Sequence, residues 1–215
     1  MDDSTFDEFL TNESVEEELT AGEVLKEIEE AWLNERFAPE ILPNRTDLVE
    51  CMLGQLHHME NNLKKLKKNE LIAVIHKMEI DRIRFIITSY MRTRLEKIEL
   101  FTKHILDAEK DRIESNVLQY LSPEEYTFAQ EFLTHEETLF QNNGMRHMLG
   151  SAQQMDWKET LIKPNLNTHV FLKVKEDVQG LVIGSEIMDL EKDSQHVVSY
   201  NPVANLLKNG KIRLI

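Results

Sequence analysis

Residues 69–106 read NELIAVIHKMEIDRIRFIITSYMRTRLEKIELFTKHIL, with no proline and no glycine anywhere among them. Nothing in that stretch stops a helix, so it predicts one of about forty residues, well beyond the usual three or four turns. Its apolar residues recur at helical spacing. At about 100° per residue, Ile72, Ile75, Ile83, Ile86 and Tyr90 fall on one side, while Ile80, Ile87, Met91, Ile98 and Ile105 make a second row roughly a quarter turn away. One row suffices for a helix packed in its own bundle. Two rows predict cover from two directions, so the second row is expected to be an interface with another chain.

Upstream, Thr20 and Glu23 form a capping-box pattern, and Val24, Leu25, Ile28, Ala31 and Trp32 recur at helical spacing until Pro39 and Pro43 interrupt. Asn44 or Thr46 can cap a second helix, with Leu48, Val49, Met52, Leu53, Leu56, Met59, Leu63 and Leu66 on one face. Downstream, Ser122-Pro-Glu-Glu125 supplies an N-cap serine, a proline at the first helical position and a glutamate at the third. Phe128, Phe132, Leu139 and Phe140 are the expected buried side of this fourth helix. Asn142-Asn-Gly144 ends it, and residues 143–167 read as a linker.

Beyond the linker the period changes from 3.6 to 2. Val170, Leu172 and Val174 face one way and Phe171, Lys173 and Lys175 the other, which predicts a strand. Short strands at 181–183, 187–190, 196–200 and 211–215 follow, with a helical turn near Pro202. The fold class is therefore α+β: an N-terminal helical bundle with a long central helix over 20–142, then a small C-terminal β-rich domain over 168–215. A β unit of about fifty residues with neither disulfide nor metal is near the limit for standing alone. It is expected to lean on something else, with Ile212, Leu214 and Ile215 in its core.

Charge is unevenly distributed along the 215 residues, whose net charge is −14. Asp2, Asp3, Asp7, Glu8, Glu13, Glu16, Glu17 and Glu18 lie in residues 1–19 with no Lys or Arg. So charged a segment cannot bury enough apolar surface to offset its ordering entropy, and it reads as an acidic disordered tail. Phe6, Phe9 and Leu10 within it have the spacing of one helical turn that an apolar groove could read. The single cysteine excludes a disulfide framework and points to a reducing compartment. No apolar run is long enough to span a membrane, and the first twenty residues lack the basic start and apolar middle of a secretory signal.

The search for chemistry finds no glycine-rich phosphate loop, nucleophile elbow or HExxH pair. His57 and His58 are neighbours pointing about 100° apart and cannot share a metal. Cys51 is expected to be a small buried hydrophobe. No cofactor and no catalytic residue is expected, although a carboxylate pair would be invisible among 39 acids. Residues 61–103 hold eleven Lys or Arg against five acids, yet around the long helix these bases make no stripe and suit ion pairs such as Asp81 with Arg84. The run Lys64, Lys65, Lys67 and Lys68 is the one true cluster and the candidate DNA contact.

Five stretches carry a resemblance: Glu30-Ala-Trp-Leu-Asn-Glu-Arg-Phe-Ala-Pro39, Ile75-His-Lys-Met-Glu-Ile-Asp-Arg-Ile-Arg84, Tyr90-Met-Arg-Thr-Arg-Leu95, Leu121-Ser-Pro-Glu-Glu125 and Asp189-Leu-Glu-Lys-Asp-Ser-Gln-His196. In that order, and ending in Arg213-Leu-Ile215, the chain from about residue 21 onward resembles the Sld-five subunit family of the eukaryotic GINS complex. Residues 1–19, 107–120 and 176–188 depart from the family pattern. The resemblance implies a non-catalytic scaffold in a nuclear heterotetramer, paired most closely with a Psf-one-type subunit. It further implies assembly with the Mcm hexamer and the Cdc-forty-five protein into the replicative helicase, for initiation and elongation of DNA replication. In some relatives the tail binds a trimeric hub of the Ctf-four type, for which Phe6, Phe9 and Leu10 would be the counterpart. Two other readings stay open, a helical adaptor unrelated to replication and an enzyme with an unrecognised carboxylate site.

Overall fold

A computed structural model describes residues 20–65, 71–148, 150, 162–184 and 186–215. Helix α1 (Ala21–Phe37) opens with the Thr20–Glu23 capping box, and α2 (Thr46–Leu63) starts after the Pro39–Pro43 connection. Helix α3 (Leu71–Glu114) is the spine, longer than the sequence stretch that predicts it. It is broken at Phe101, whose φ of −123° and ψ of 26° are not helical. Thr102 Oγ1 donates to the carbonyls of Ile98 and Glu99 at 2.6 and 3.1 Å, which competes with the helical hydrogen-bond ladder at that point. Helix α4 (Pro123–Asn143) begins on the expected box, with Ser122 Oγ accepting from the Glu125 amide. A single 3-10 turn, Met145–His147, follows it.

Contacts along α3 set the direction of its neighbours. Glu29 meets Arg82, Trp32 Nε1 donates to Ser89 Oγ at 2.9 Å, and Glu35 meets Arg94, so α1 runs parallel to α3. Glu60 meets Arg84 while the Arg45 amide reaches Tyr90 Oη, so α2 runs antiparallel. Two apolar clusters result. One joins Val24 and Ile28 of α1, Met52 and Leu56 of α2, and Ile80 to Tyr90 of α3; the other joins Ile41, Ile98, Ile105, Leu106, Leu121 and Ala129. Helix α4 buries Ala129 and Glu125 more deeply than its phenylalanines, and Leu139, expected inside, is exposed.

The C-terminal part contains β1 (His169–Val174), β2 (Val178–Ile183), β3 (Glu186–Leu190), β4 (Gln195–Ser199), α5 (Tyr200–Lys208) and β5 (Ile212–Leu214). Strands β4, β1 and β5 form one antiparallel sheet, in that order, and β2 and β3 a hairpin turned at Gly184, whose φ of +64° favours glycine. Val170, Leu172 and Val174 point inward with Tyr200, Val203, Ile212 and Leu214, as the alternation predicts. Ile215, also expected in this core, lies at its exposed edge. The sheet leans on the helical part: Ala38 and Leu42 complete its core, Asn34 Oδ1 accepts from the Leu214 amide at 2.8 Å, and Lys175 pairs with Glu30 at 3.0 Å.

Tyr200 Oη donates to Glu40 Oε1 at 2.9 Å beneath this junction. Burial, then the Glu40 charge and that hydrogen bond, push the Tyr200 phenol well above the usual tyrosine range; burial also raises Tyr90, against the nearby Arg94 charge. Raised folded-state values mean that the native chain keeps protons which the unfolded chain releases above about pH 10, so the stability these two phenols contribute is lost as pH rises past that point. Absorbance titration at 295 nm is expected to show Tyr90 and Tyr200 ionising only with alkaline unfolding. Early ionisation of all four tyrosines in a still-folded chain would contradict the burial described here.

Candidate functional site

Four titratable groups, Arg94, Lys97, Glu35 and Glu125, converge in the interior where α1, α3 and α4 meet. Arg94, 1% exposed, donates through Nε and Nη2 to both oxygens of Glu125 at 2.7 and 2.9 Å. Its remaining N–H groups reach Glu35 Oε2 and the carbonyls of Leu42 and Tyr120, so all five guanidinium donors are occupied. Lys97 Nζ donates to Glu35 Oε1 at 2.7 Å, to the Glu40 carbonyl at 2.8 Å and to the Glu35 carbonyl, which uses all three of its protons. About two turns beyond the break in α3, Glu109 accepts from the amides of Tyr120 and Leu121 and from Arg112.

Burial opposes the charge on Arg94, but the Glu125 hydrogen bonds and the Glu35 carboxylate outweigh it and raise the arginine above its ordinary value. For Lys97 the balance goes the other way. Burial lowers its ammonium below the usual lysine range, against the pull of Glu35. Such a cluster is what an unrecognised carboxylate site would look like from a distance. Its bonding is that of a structural hub: each Glu35 and Glu125 oxygen is taken, and among the described residues no buried side-chain polar atom lacks a partner. An open cleft of about 120 Å³ lies beside it, bounded by Asn34, Arg45, Tyr90 and Lys208, and the carboxylate of Glu35, which also lines it, is already engaged. Among the described residues no three His, Cys, Asp or Glu side chains are placed to hold a metal. Cys51 is exposed, not buried as the sequence suggests, because it lies off the face of α2 that carries Val49, Met52 and Leu56.

The row expected to face another chain is instead sealed by this one. Ile80 and Ile87 are buried between α1 and α2, with Met91 partly buried beside them, and Ile98 and Ile105 are buried against Ile41, Leu121 and Ala129. The reason is that α1 and α2 flank the proximal half of the row while α4 and the connections cover the distal half, none of which a wheel of one helix contains. The exposed grease lies at the other end. Leu71, Ile72, Ile75 and Met78 are 75, 57, 56 and 68% exposed, although Ile72 and Ile75 belong to the row expected inside. The Glu60–Arg84 ion pair sets the last turn of α2 level with Arg84, which leaves the opening turns of α3 little of α2 to pack against. Leu71, Ile75, Met78 and Phe85 fall within about 80° of one another, forming one stripe. Phe85 is itself 61% exposed and rests edge-on against Trp32.

The basic candidates separate in the same way. Arg82, Arg84, Arg94, Lys97, Lys103 and Arg112 are each paired with a carboxylate, as expected for bases scattered around a helix. Lys64 and Lys65 are exposed at the end of α2 and donate to Asn61 and Asn62. Lys67 and Lys68 lie outside the described residues, as do Phe6, Phe9 and Leu10 with the rest of residues 1–19. Among the described residues no helix is long and apolar enough to cross a membrane.

The hub escapes sequence reading because its members are spread from residue 35 to residue 125 and each looks like an ordinary surface charge; the one local trace is Glu125 in its capping box. Arg94→Met leaves the buried Glu125 carboxylate without a cation and Glu35 with Lys97 alone, and is expected to cost about 3–5 kcal/mol of folding stability in urea melts. Arg84→Met, at an exposed pair, should cost less than about 1 kcal/mol. Equal losses would mean the interior pair is not load-sharing in the way its geometry requires.

Two family models match the chain. One, the GINS complex protein helical bundle domain, covers residues 44–148, and the other, the DNA replication complex GINS protein SLD5 C-terminus, covers residues 164–215. The cattle protein named DNA replication complex GINS protein SLD5 is 45% identical over 204 residues, covering 92% of this chain and 91% of that one. The Xenopus laevis protein of the same name is 44% identical over 207 residues, 93% of each chain, and the human one 41% over 204 residues, 92% and 91%. The two models together cover α2 to α4 and the small strand-rich part, and the chain belongs to the SLD5 family of GINS complex proteins.

Proposed function

We propose that the chain is a non-catalytic scaffold subunit of a nuclear GINS heterotetramer. Its helical part pairs with a sister subunit of the Psf-one type, and the tetramer joins the Mcm hexamer and the Cdc-forty-five protein in the replicative helicase. The observation that carries this reading is the exposed stripe of Leu71, Ile75 and Met78 at the start of α3. Apolar side chains so exposed and so aligned are costly in water and are what a helix-to-helix interface, burying roughly 800 Å² per partner, removes from it. The saturated hub supports the same reading, since its charged groups hold segments together and leave no free acid or base.

A tagged full-length chain should co-purify the three sister subunits, and with them Mcm and the Cdc-forty-five protein. Ile75→Glu with Met78→Glu should keep the circular dichroism of the wild type and lose the sister subunits. Ile80→Glu or Ile87→Glu should instead unfold the bundle, because those side chains are interior. A chain that sediments as a stable monomer and captures no sister subunit would favour the unrelated-adaptor reading and remove this one.

A further inference from the structure

The outer face of the β4-β1-β5 sheet has a two-part surface. Strand register sets Phe171 opposite Val197 on one side, and the Ile215 amide donates to the Phe171 carbonyl on the other at 3.1 Å, so these three side chains make an apolar row across the strands. All three are exposed, Phe171 at 61%. Two residues along, on the same face, the register puts Lys173 between Gln195 and Arg213. Lys175 and Lys192 border the adjoining cleft, where four cations face Glu30 and Asp193, with a third carboxylate, Asp177, accepting from the Lys192 amide at 2.6 Å. Glu30 and Asp193 pair with Lys175 and Lys173; among the described residues Lys192 and Arg213 have no salt bridge. In a chain of net charge −14 this is an apolar row edged with excess positive charge.

A ligand for such a face needs aromatic or aliphatic groups interleaved with acids. Residues 1–19 of the same chain have that composition, Phe6-Asp-Glu-Phe-Leu10 within eight acids and no base. They also begin close by. Glu30, tied to Lys175 at 3.0 Å, lies nine residues along α1 from Ala21, a rise of about 14 Å, whereas nineteen extended residues reach up to about 60 Å. We propose that the acidic N-terminal segment docks on the outer face of its own C-terminal sheet, with Phe6, Phe9 and Leu10 against Phe171, Val197 and Ile215 and its carboxylates against Lys173, Lys192 and Arg213. Tethering makes the contact intramolecular, with an effective concentration that an untethered acidic peptide would have to exceed. The tail thereby covers a basic surface that nucleic acid or an acidic partner would otherwise meet, and any protein that takes the tail uncovers it.

The test is carbodiimide cross-linking of the full-length chain, alone or in the assembly purified with it, using a mixture of ¹⁵N-labelled and unlabelled protein and mapping the linked peptides by mass spectrometry. The expected result is amide links from carboxylates of residues 1–19 to Lys173, Lys175 or Lys192 of the same copy. Their yield should fall at least about fivefold in 1 M salt, where the Debye length shrinks to about 3 Å, and equally in Lys192→Glu with Arg213→Glu. Phe171→p-benzoylphenylalanine, at an exposed position, tests the apolar half by photo-cross-linking and should capture the Phe6–Leu10 peptide. Links from the tail of a different copy, links to a partner subunit or nucleic acid in place of the tail, or no tail link from either reagent would overturn the proposal.

Discussion

Arg94 and Lys97 together place two positive charges where water cannot reach them, and the rest of the molecule is arranged around neutralising them. Glu35 comes from the last turn of α1, Glu125 from the first turn of α4, and the carbonyls of Glu40, Leu42 and Tyr120 from the two connections. Two cations and two carboxylates leave no net charge inside. A well-packed apolar substitute could be as stable, because desolvating four ions offsets much of their attraction. What the ions add is discrimination: a shift of α1 or α4 by one turn would strand a buried charge, so this one register is selected.

The consequences travel outward through the connection between α1 and α2. Its backbone is pinned from beneath by Lys97 and Arg94, and its upper side offers Ala38, Leu42 and the Glu40 carboxylate to the C-terminal sheet. Tyr200 and Lys208 both reach Glu40, at 2.9 and 2.8 Å. A β unit too small to be secure by itself is thus seated on a segment that the hub holds still. Two dissimilar parts are thereby held together through interior charges whose hydrogen-bonding capacity is already filled.

Two exposed surfaces stand out among the described residues. The opening turns of α3 present an apolar stripe beyond the end of α2, and the outer face of the sheet presents an apolar row edged with positive charge. The two differ in chemistry and lie on different parts of the fold. The first suits a neutral helical neighbour; the second suits an acidic segment with aromatic residues.

Sequence alone determined the features whose cause is local. Capping boxes at Thr20 and Ser122 fix where helices begin, the absence of proline and glycine fixes the long α3, and alternation at Val170, Leu172 and Val174 fixes the strand and its inward face. The five quoted stretches likewise carry the family resemblance without any contact being known. Which side of α3 stays wet was decided only in three dimensions. A helical wheel shows that Ile75 and Ile80 are both apolar, but burial depends on where α2 ends and where α4 crosses, and neither is encoded in α3 itself. The hub was equally hidden, since Glu35, Arg94, Lys97 and Glu125 look like solvent-facing charges until folding brings residues up to 62 positions apart within hydrogen-bonding distance and removes the water between them.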